Sequence, residues 1–125
     1  MPTSLVVEDN KLVQMVHKRG LEEIGYKVDI AETGGEALVL LAMHNYDLVL
    51  MDISLPDKTG IEVIKNFRQS QDGTRKNTRI IVVTTHVNAD VKKHCFEAGC
   101  DLLLSKPIAM KELEKHLLDL CPIQD

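Results

Sequence analysis

The sequence predicts an α/β domain built on a doubly wound, parallel five-stranded sheet with helices on both faces. Short apolar runs alternate with amphipathic segments of about 10–15 residues, a pattern that requires right-handed βαβ crossovers. The third run, Tyr46-Asp-Leu-Val-Leu-Met51, lacks the polar alternation of a half-exposed strand and suits one covered on both faces. A length of 125 residues with 44% apolar content supplies one core, so residues 1–125 are expected to form a single domain with its core at about 4–121.

The elements follow in order. Ser4 to Val7 is a first strand that ends abruptly in Glu8-Asp9-Asn10. Leu12, Val16, Gly20 and Ile24 recur four apart and mark the first helix, closed by Gly25 where a left-handed C-cap is wanted. Lys27 to Ile30 is the second strand, and Thr33 with Glu36 is a capping box that opens a helix through Met43. Tyr46 to Met51 is the third strand, ending at Asp52. After the loop Leu55-Pro56-Asp57-Lys58, a second capping box, Thr59 with Glu62, starts a helix carrying Ile61, Ile64 and Phe67 on one side. Ser70 to Thr78, polar and containing Gly73, reads as a flexible loop. Ile80 to Val83 is a β-branched strand ending at Thr84-Thr85. Val91, Cys95 and Ala98 mark a fourth helix closed by Gly99, and Leu102 to Leu104 is the fifth strand, ending at Ser105-Lys106-Pro107. Met110, Leu113, Leu117 and Leu120 give the last helix, stopped by Pro122, although Ala109 is a poor cap for its start.

Composition excludes several function classes. The net charge of −4 disfavours a nucleic-acid polymer as a direct partner. With two Tyr, two Phe and no Trp, a platform for stacking bases or sugars is poorly supplied. Arg68, Arg75, Lys76 and Arg79 around the polar loop then read as solvated charge. No stretch approaches the roughly 20 apolar residues that cross a bilayer, and Met1-Pro2-Thr3-Ser4 does not open a signal peptide. A cytoplasmic location without membrane contact is the expectation. The three cysteines Cys95, Cys100 and Cys121 cannot all pair, and without a Cys-x-x-Cys the neighbouring His94 does not make a zinc site, so free thiols are expected.

In an open parallel sheet, ligands bind beyond the carboxyl ends of the strands. Four strand ends here carry reactive residues: Glu8-Asp9, Asp52, Thr84 and Lys106. Three acids brought together raise one another's pKa unless a cation separates them, and hard carboxylate oxygens suit Mg²⁺. Lys106 and Thr84 suit the oxygens of a phosphoryl group, and Asp52, alone at its strand end, can be the nucleophile that forms an acyl phosphate.

From Leu5 to about Leu120 the chain resembles the receiver domain of two-component response regulators. The resemblance rests on Val-Val-Glu8-Asp9-Asn10, Asp52-Ile-Ser-Leu-Pro56-Asp-Lys-Thr-Gly60, Ile-Val-Val-Thr84, Ala98-Gly99 and Ser105-Lys106-Pro107. It implies a flavodoxin-like (βα)5 fold with strand order 2-1-3-4-5. It further implies that Asp52 accepts a phosphoryl group from a phosphohistidine on a histidine kinase or histidine phosphotransfer domain. Asp9 would bind Mg²⁺ directly, Glu8 largely through water, and the Ser54 backbone carbonyl would be a further ligand. Thr84 and Lys106 would contact the phosphoryl oxygens, and the Lys106–Pro107 bond would be cis. Such a domain is a phospho-acceptor that assists its own phosphorylation and dephosphorylation rather than an enzyme. The family's usual contact face, which would serve a homodimer, is the fourth helix, fifth strand and fifth helix. The Leu-Pro-Asp-x-Thr-Gly stretch with Glu-Asp-Asn resembles receivers of hybrid sensor kinases, which pass phosphate to a histidine transfer domain. No output domain is expected after Pro122, leaving a stand-alone receiver or one domain of a longer protein.

Three positions depart from the family pattern. Thr85 stands where a smaller residue is usual and would narrow access to Asp52. Leu103 replaces the switch aromatic, which implies a smaller or differently built conformational response. His86 lies at the rim, and an imidazole there could tie phosphate lifetime to pH. Two other readings compete with the acceptor. A Mg²⁺-dependent aspartyl phosphatase wants a second Asp two residues after the nucleophile, where Ser54 stands. A receiver-like domain that binds partners without phosphorylation would not need the acids, Thr84 and Lys106 together.

Overall fold

A computed structural model describes residues 1–70 and 77–120. The expected features at Gly73, Arg75, Lys76, Cys121 and Pro122, and the side chain of Leu120, lie outside the described residues. Five strands alternate with five helices: β1 (Thr3–Val7), α1 (Lys11–Ile24), β2 (Lys27–Ala31), α2 (Gly34–Met43), β3 (Leu48–Asp52), α3 (Gly60–Ser70), β4 (Arg79–Thr84), α4 (Ala89–Ala98), β5 (Leu102–Ser105) and α5 (Met110–Leu120). All neighbouring strands pair in parallel, in the order β2-β1-β3-β4-β5, as the resemblance implies. Among the described residues no helix is long and apolar enough to cross a membrane.

The unalternated run in β3 has a direct cause: both faces of the strand are covered. Val49 and Met51 enter one core with Val63, Ile64 and Phe67 of α3 and Ala37 and Leu41 of α2. Leu48 and Leu50 enter the opposite core with Leu21 of α1 and Leu113 and Leu117 of α5. Tyr46 and Asp47 precede the strand; Tyr46 is nevertheless buried and donates its hydroxyl to Asp29 at 2.7 Å.

The helix termini largely obey local chemistry. Thr33 accepts from the Glu36 amide at 3.0 Å and Thr59 from the Glu62 amide at 3.2 Å. Gly25 and Gly99 close α1 and α4 at φ 116° and 117°, the left-handed region that glycine occupies without strain. Asn88 caps α4, accepting from the Val91 amide at 2.9 Å.

Some features differ from what the sequence suggests, each for a physical reason. The apolar stripe that marks α1 is only partly buried: Leu12 is 71% and Val16 51% exposed, whereas Gly20 is buried and Ile24 packs against the core. The buried positions are Gln14, His17, Gly20 and Leu21. Gln14 is polar yet buried because its amide satisfies the Glu8 carbonyl at 2.6 Å. Gly20 leaves room for Met110, whose side chain would collide with any Cβ there. The polar loop expected over residues 70–78 falls mostly outside the described residues, but its borders are ordered by the fold. Helix α3 continues through Ser70, and Thr78 is buried, donating its hydroxyl to the Tyr46 carbonyl at 2.7 Å.

Arg68 is not solvated charge. Its guanidinium donates to the Gly99 carbonyl at 3.0 Å, the Thr78 carbonyl at 2.8 Å and Asp101 at 3.2 Å, binding α3 to the entries of β4 and β5. Arg79 adds a longer pair to Asp101 at 3.5 Å. Charge-assisted bonds that are mostly out of water are worth more than surface pairs. Arg68→Ala should therefore destabilise the domain by about 2–4 kcal/mol in urea unfolding, and a loss below about 0.5 kcal/mol would contradict this clamp.

Candidate functional site

The strand register brings the reactive residues to one edge. Val7 pairs with Met51, Asp52 with Val83, and Thr84 with Ser105, so the residues at and beyond the carboxyl ends of β1, β3, β4 and β5 converge. Asn10, not Asp9, caps α1, accepting from the Leu12 and Val13 amides at 3.0 and 3.1 Å. The local capping need is thus met without Asp9, which remains exposed at the site.

Glu8 and Asp52 are buried, 2% and 7% exposed. Lys106 lies between them, its Nζ 2.6 Å from Glu8 Oε1 and 3.5 Å from Asp52 Oδ1. The second Glu8 oxygen accepts from the Asn10 amide at 3.1 Å, and Asp52 Oδ1 accepts from the Ser54 amide at 3.2 Å. Carboxylate oxygens of Glu8, Asp9 and Asp52 all lie within 4.8 Å of one another.

This geometry separates the two buried acids. Burial works to raise Glu8, but the bond to Lys106 and the Asn10 amide outweigh it and hold the carboxyl below its ordinary value. Asp52 is pushed up to about 6, first by burial and then by the charge of Glu8, with Lys106 and the Ser54 amide only partly opposing. Burial works against the Lys106 ammonium, but the bond to Glu8 and the charges of Asp52 and Glu8 raise its pKa. One ammonium faces three carboxylates, so two negative charges are left when all three acids ionise. A small divalent cation with hard-oxygen preference fits that donor set and that charge.

Thr84 is buried at the end of β4, its hydroxyl accepting from the His86 amide at 3.1 Å. Thr85 and His86 are exposed, and Leu103 packs half-buried against the core beneath α4. The Lys106–Pro107 bond is cis, as the resemblance implies. Cys95 and Cys100 are buried free thiols. An apolar groove runs from Lys106 and Thr85 along Pro107 and Ile108 to Leu12 and Val16 of α1. His17 lines this groove, and burial pushes its imidazole below the ordinary histidine range. No sequence signal marks His17 or Gln14, because neither belongs to the apolar series Leu12, Val16, Gly20 and Ile24.

The response regulator receiver domain family matches residues 4–118. The chain belongs to this family. Receiver domains are the phosphoryl-accepting modules of two-component systems, working with histidine kinases. The chain is 36% identical over 113 residues to the sensor histidine kinase AruS of Pseudomonas aeruginosa, a match covering 90% of this chain and 11% of AruS. Among solved structures, chemotaxis protein CheY4 of Vibrio cholerae superposes with a TM-score of 0.88 at 28% identity, covering 96% of this chain and 98% of that one. The receiver domain of the sensor histidine kinase PA1611 of Pseudomonas aeruginosa gives 0.85 at 28% identity, covering 95% and 96%. That structure holds a magnesium ion in its active-site cleft.

The displaced Asp52 has a stability consequence. Its native value near 6 lies above the ordinary 3.8, so the metal-free fold carries an ionised, disfavoured carboxylate above pH 6 and is relieved of it below about 4. Asp52→Asn should stabilise the metal-free domain at pH 7.5 by about 1–3 kcal/mol, with the gain shrinking towards zero at pH 4. Denaturation of both proteins in chelator at the two pH values checks this; a destabilised variant at pH 7.5 would contradict it.

Proposed function

We propose that Asp52 accepts a phosphoryl group from a phosphohistidine on a histidine kinase or histidine phosphotransfer domain. The observation that carries this reading is a lone strand-end carboxylate beside an acid pair, with one ammonium within 3.5 Å. Glu8, Asp9, Asp52 and the Ser54 backbone carbonyl would hold Mg²⁺, which when bound neutralises charge on the transferring group and the acids. An Asp52 oxygen attacks phosphorus, forming the acyl phosphate as the P–N bond to the donor imidazole breaks. The Lys106 ammonium, movable from Glu8, and the Thr84 hydroxyl can then donate to the phosphoryl oxygens. The same groups assist hydrolysis of the acyl phosphate, so phosphate lifetime is a property of this site, and Thr85 at its mouth limits approach.

The exposed residues Leu12 and Val16 support a docking role for α1. They line the groove that reaches Lys106, itself 3.5 Å from Asp52, which supports docking of the donor over them. Phe96 of α4 and Leu118 of α5, also exposed, support the α4–β5–α5 face as the contact between copies in a cytoplasmic dimer. No nucleic-acid contact by this domain is proposed.

Incubation with Mg²⁺ and acetyl phosphate, read by intact mass, should give one phosphoryl adduct that is absent in Asp52→Asn. Turnover without an adduct would favour a phosphatase, and inertness a phosphorylation-independent binding domain. Val16→Asp should slow transfer from a phosphohistidine donor by about tenfold, the size of one apolar anchor, while leaving acetyl phosphate labelling unchanged. Equal slowing with both donors would contradict docking on α1.

A further inference from the structure

We propose that Asp57, at the tip of the loop from β3 to α3, is a positioning residue that anchors the metal-facing part of that loop to the N-terminus of α2. This rests on the metal-assisted acceptor reading above. Residues 53–59 form a closed loop. At its base the Gly60 amide donates to the Ile53 carbonyl at 2.8 Å, and Ser54 bridges Thr59. Gly60 is required there, because a Cβ would lie 2.3 Å from the Asp52 carbonyl oxygen. The Ser54 carbonyl, the expected metal ligand, is thus held from the base of the loop.

The tip is held by a different element. Helix α2 begins with amides that lack intrahelical acceptors. Thr33 satisfies Glu36 through its side chain and Ala37 through its carbonyl, each at 3.0 Å. The remaining pair, Gly34 and Gly35, donate to Asp57 Oδ1 and Oδ2, each at 2.8 Å. One carboxylate therefore spans two consecutive amides with one oxygen apiece, where the helix dipole also favours negative charge. The two glycines make the approach close: a Cβ on Gly35 would stand 3.3 Å from Asp57 Oδ2, and one on Gly34 would collide with Lys58 and Val63. Helix α2 is itself fixed to the core through Ala37 and Leu41. The tip is anchored to a rigid body, and the Ser54 carbonyl lies on the short span between tip and acceptor.

Removing the carboxylate frees the tip and leaves the Ser54 carbonyl held from the base of the loop alone. Metal affinity falls although no metal ligand is altered. Linkage makes the effect reciprocal: a cation that favours the ordered loop also favours the bonds at Gly34 and Gly35.

The test is titration of the folded protein with Mg²⁺ alone, with amide exchange at Gly34 and Gly35 followed in parallel. Asp57→Ala should weaken Mg²⁺ binding about 3–10-fold, and Asp57→Asn, which keeps one carbonyl acceptor, should recover part of the loss. In the unsubstituted protein, exchange at both glycines should slow on adding Mg²⁺, and in Asp57→Ala it should be fast and unresponsive. A clasp that only stabilises α2 would lower unfolding stability and leave the Mg²⁺ affinity of the folded protein unchanged; that result overturns the proposal. If Asp57→Ala fails to fold, Gly35→Ala, which presses on the same carboxylate, should show the weakening in milder form, and unchanged affinity there also overturns it. Failure of the unsubstituted protein to bind Mg²⁺ would overturn the metal reading and this inference together.

Discussion

A single ammonium held between two buried carboxylates governs how this domain is built. Lys106 bonds Glu8 at 2.6 Å and stands 3.5 Å from Asp52, with Asp9 completing the acidic group. One cation cannot balance three acids, and burial forbids water from doing so fully. Asp52 takes the strain and is held up near 6. The same imbalance underlies the proposal that the cluster takes a divalent cation and then a phosphoryl group.

Keeping like charges together requires a frame that cannot relax away from them. The sheet supplies it, because β1 and β3 are buried through both faces and cannot shift register without moving side chains between the two cores. The Arg68 clamp ties the entries of β4 and β5 to α3, and Gly60 lets the loop after Asp52 fold directly onto the strand backbone. Rigidity is therefore concentrated around the acids, whereas the apolar residues at the start of α1 stay at the surface beside them.

Much of this was legible in the sequence because it follows from local rules. Strand ends, capping threonines and left-handed glycines each depend on a few adjacent residues, and the family's motifs ordered the strands. Burial on α1 was not legible, since Leu12 and Val16 obey helical periodicity yet face a groove, while Gln14 and His17 are buried for reasons set by β1 and the Lys106 loop. Arg68 reads as loop charge until its acceptors, 10 to 33 residues away, are in place. The pairing of Lys106 with Glu8 across 98 residues likewise belongs to the fold, and so does the meeting of Asp57 with the glycine pair of α2.

Carboxyl-detected NMR titration of Asp52, in chelator and again in saturating Mg²⁺, should show a midpoint near 6 without metal and a clear downward displacement with it, because burial and charge imbalance raise this carboxyl and the cation relieves the imbalance. A midpoint near the ordinary 3.8 in chelator, unmoved by Mg²⁺, would contradict this.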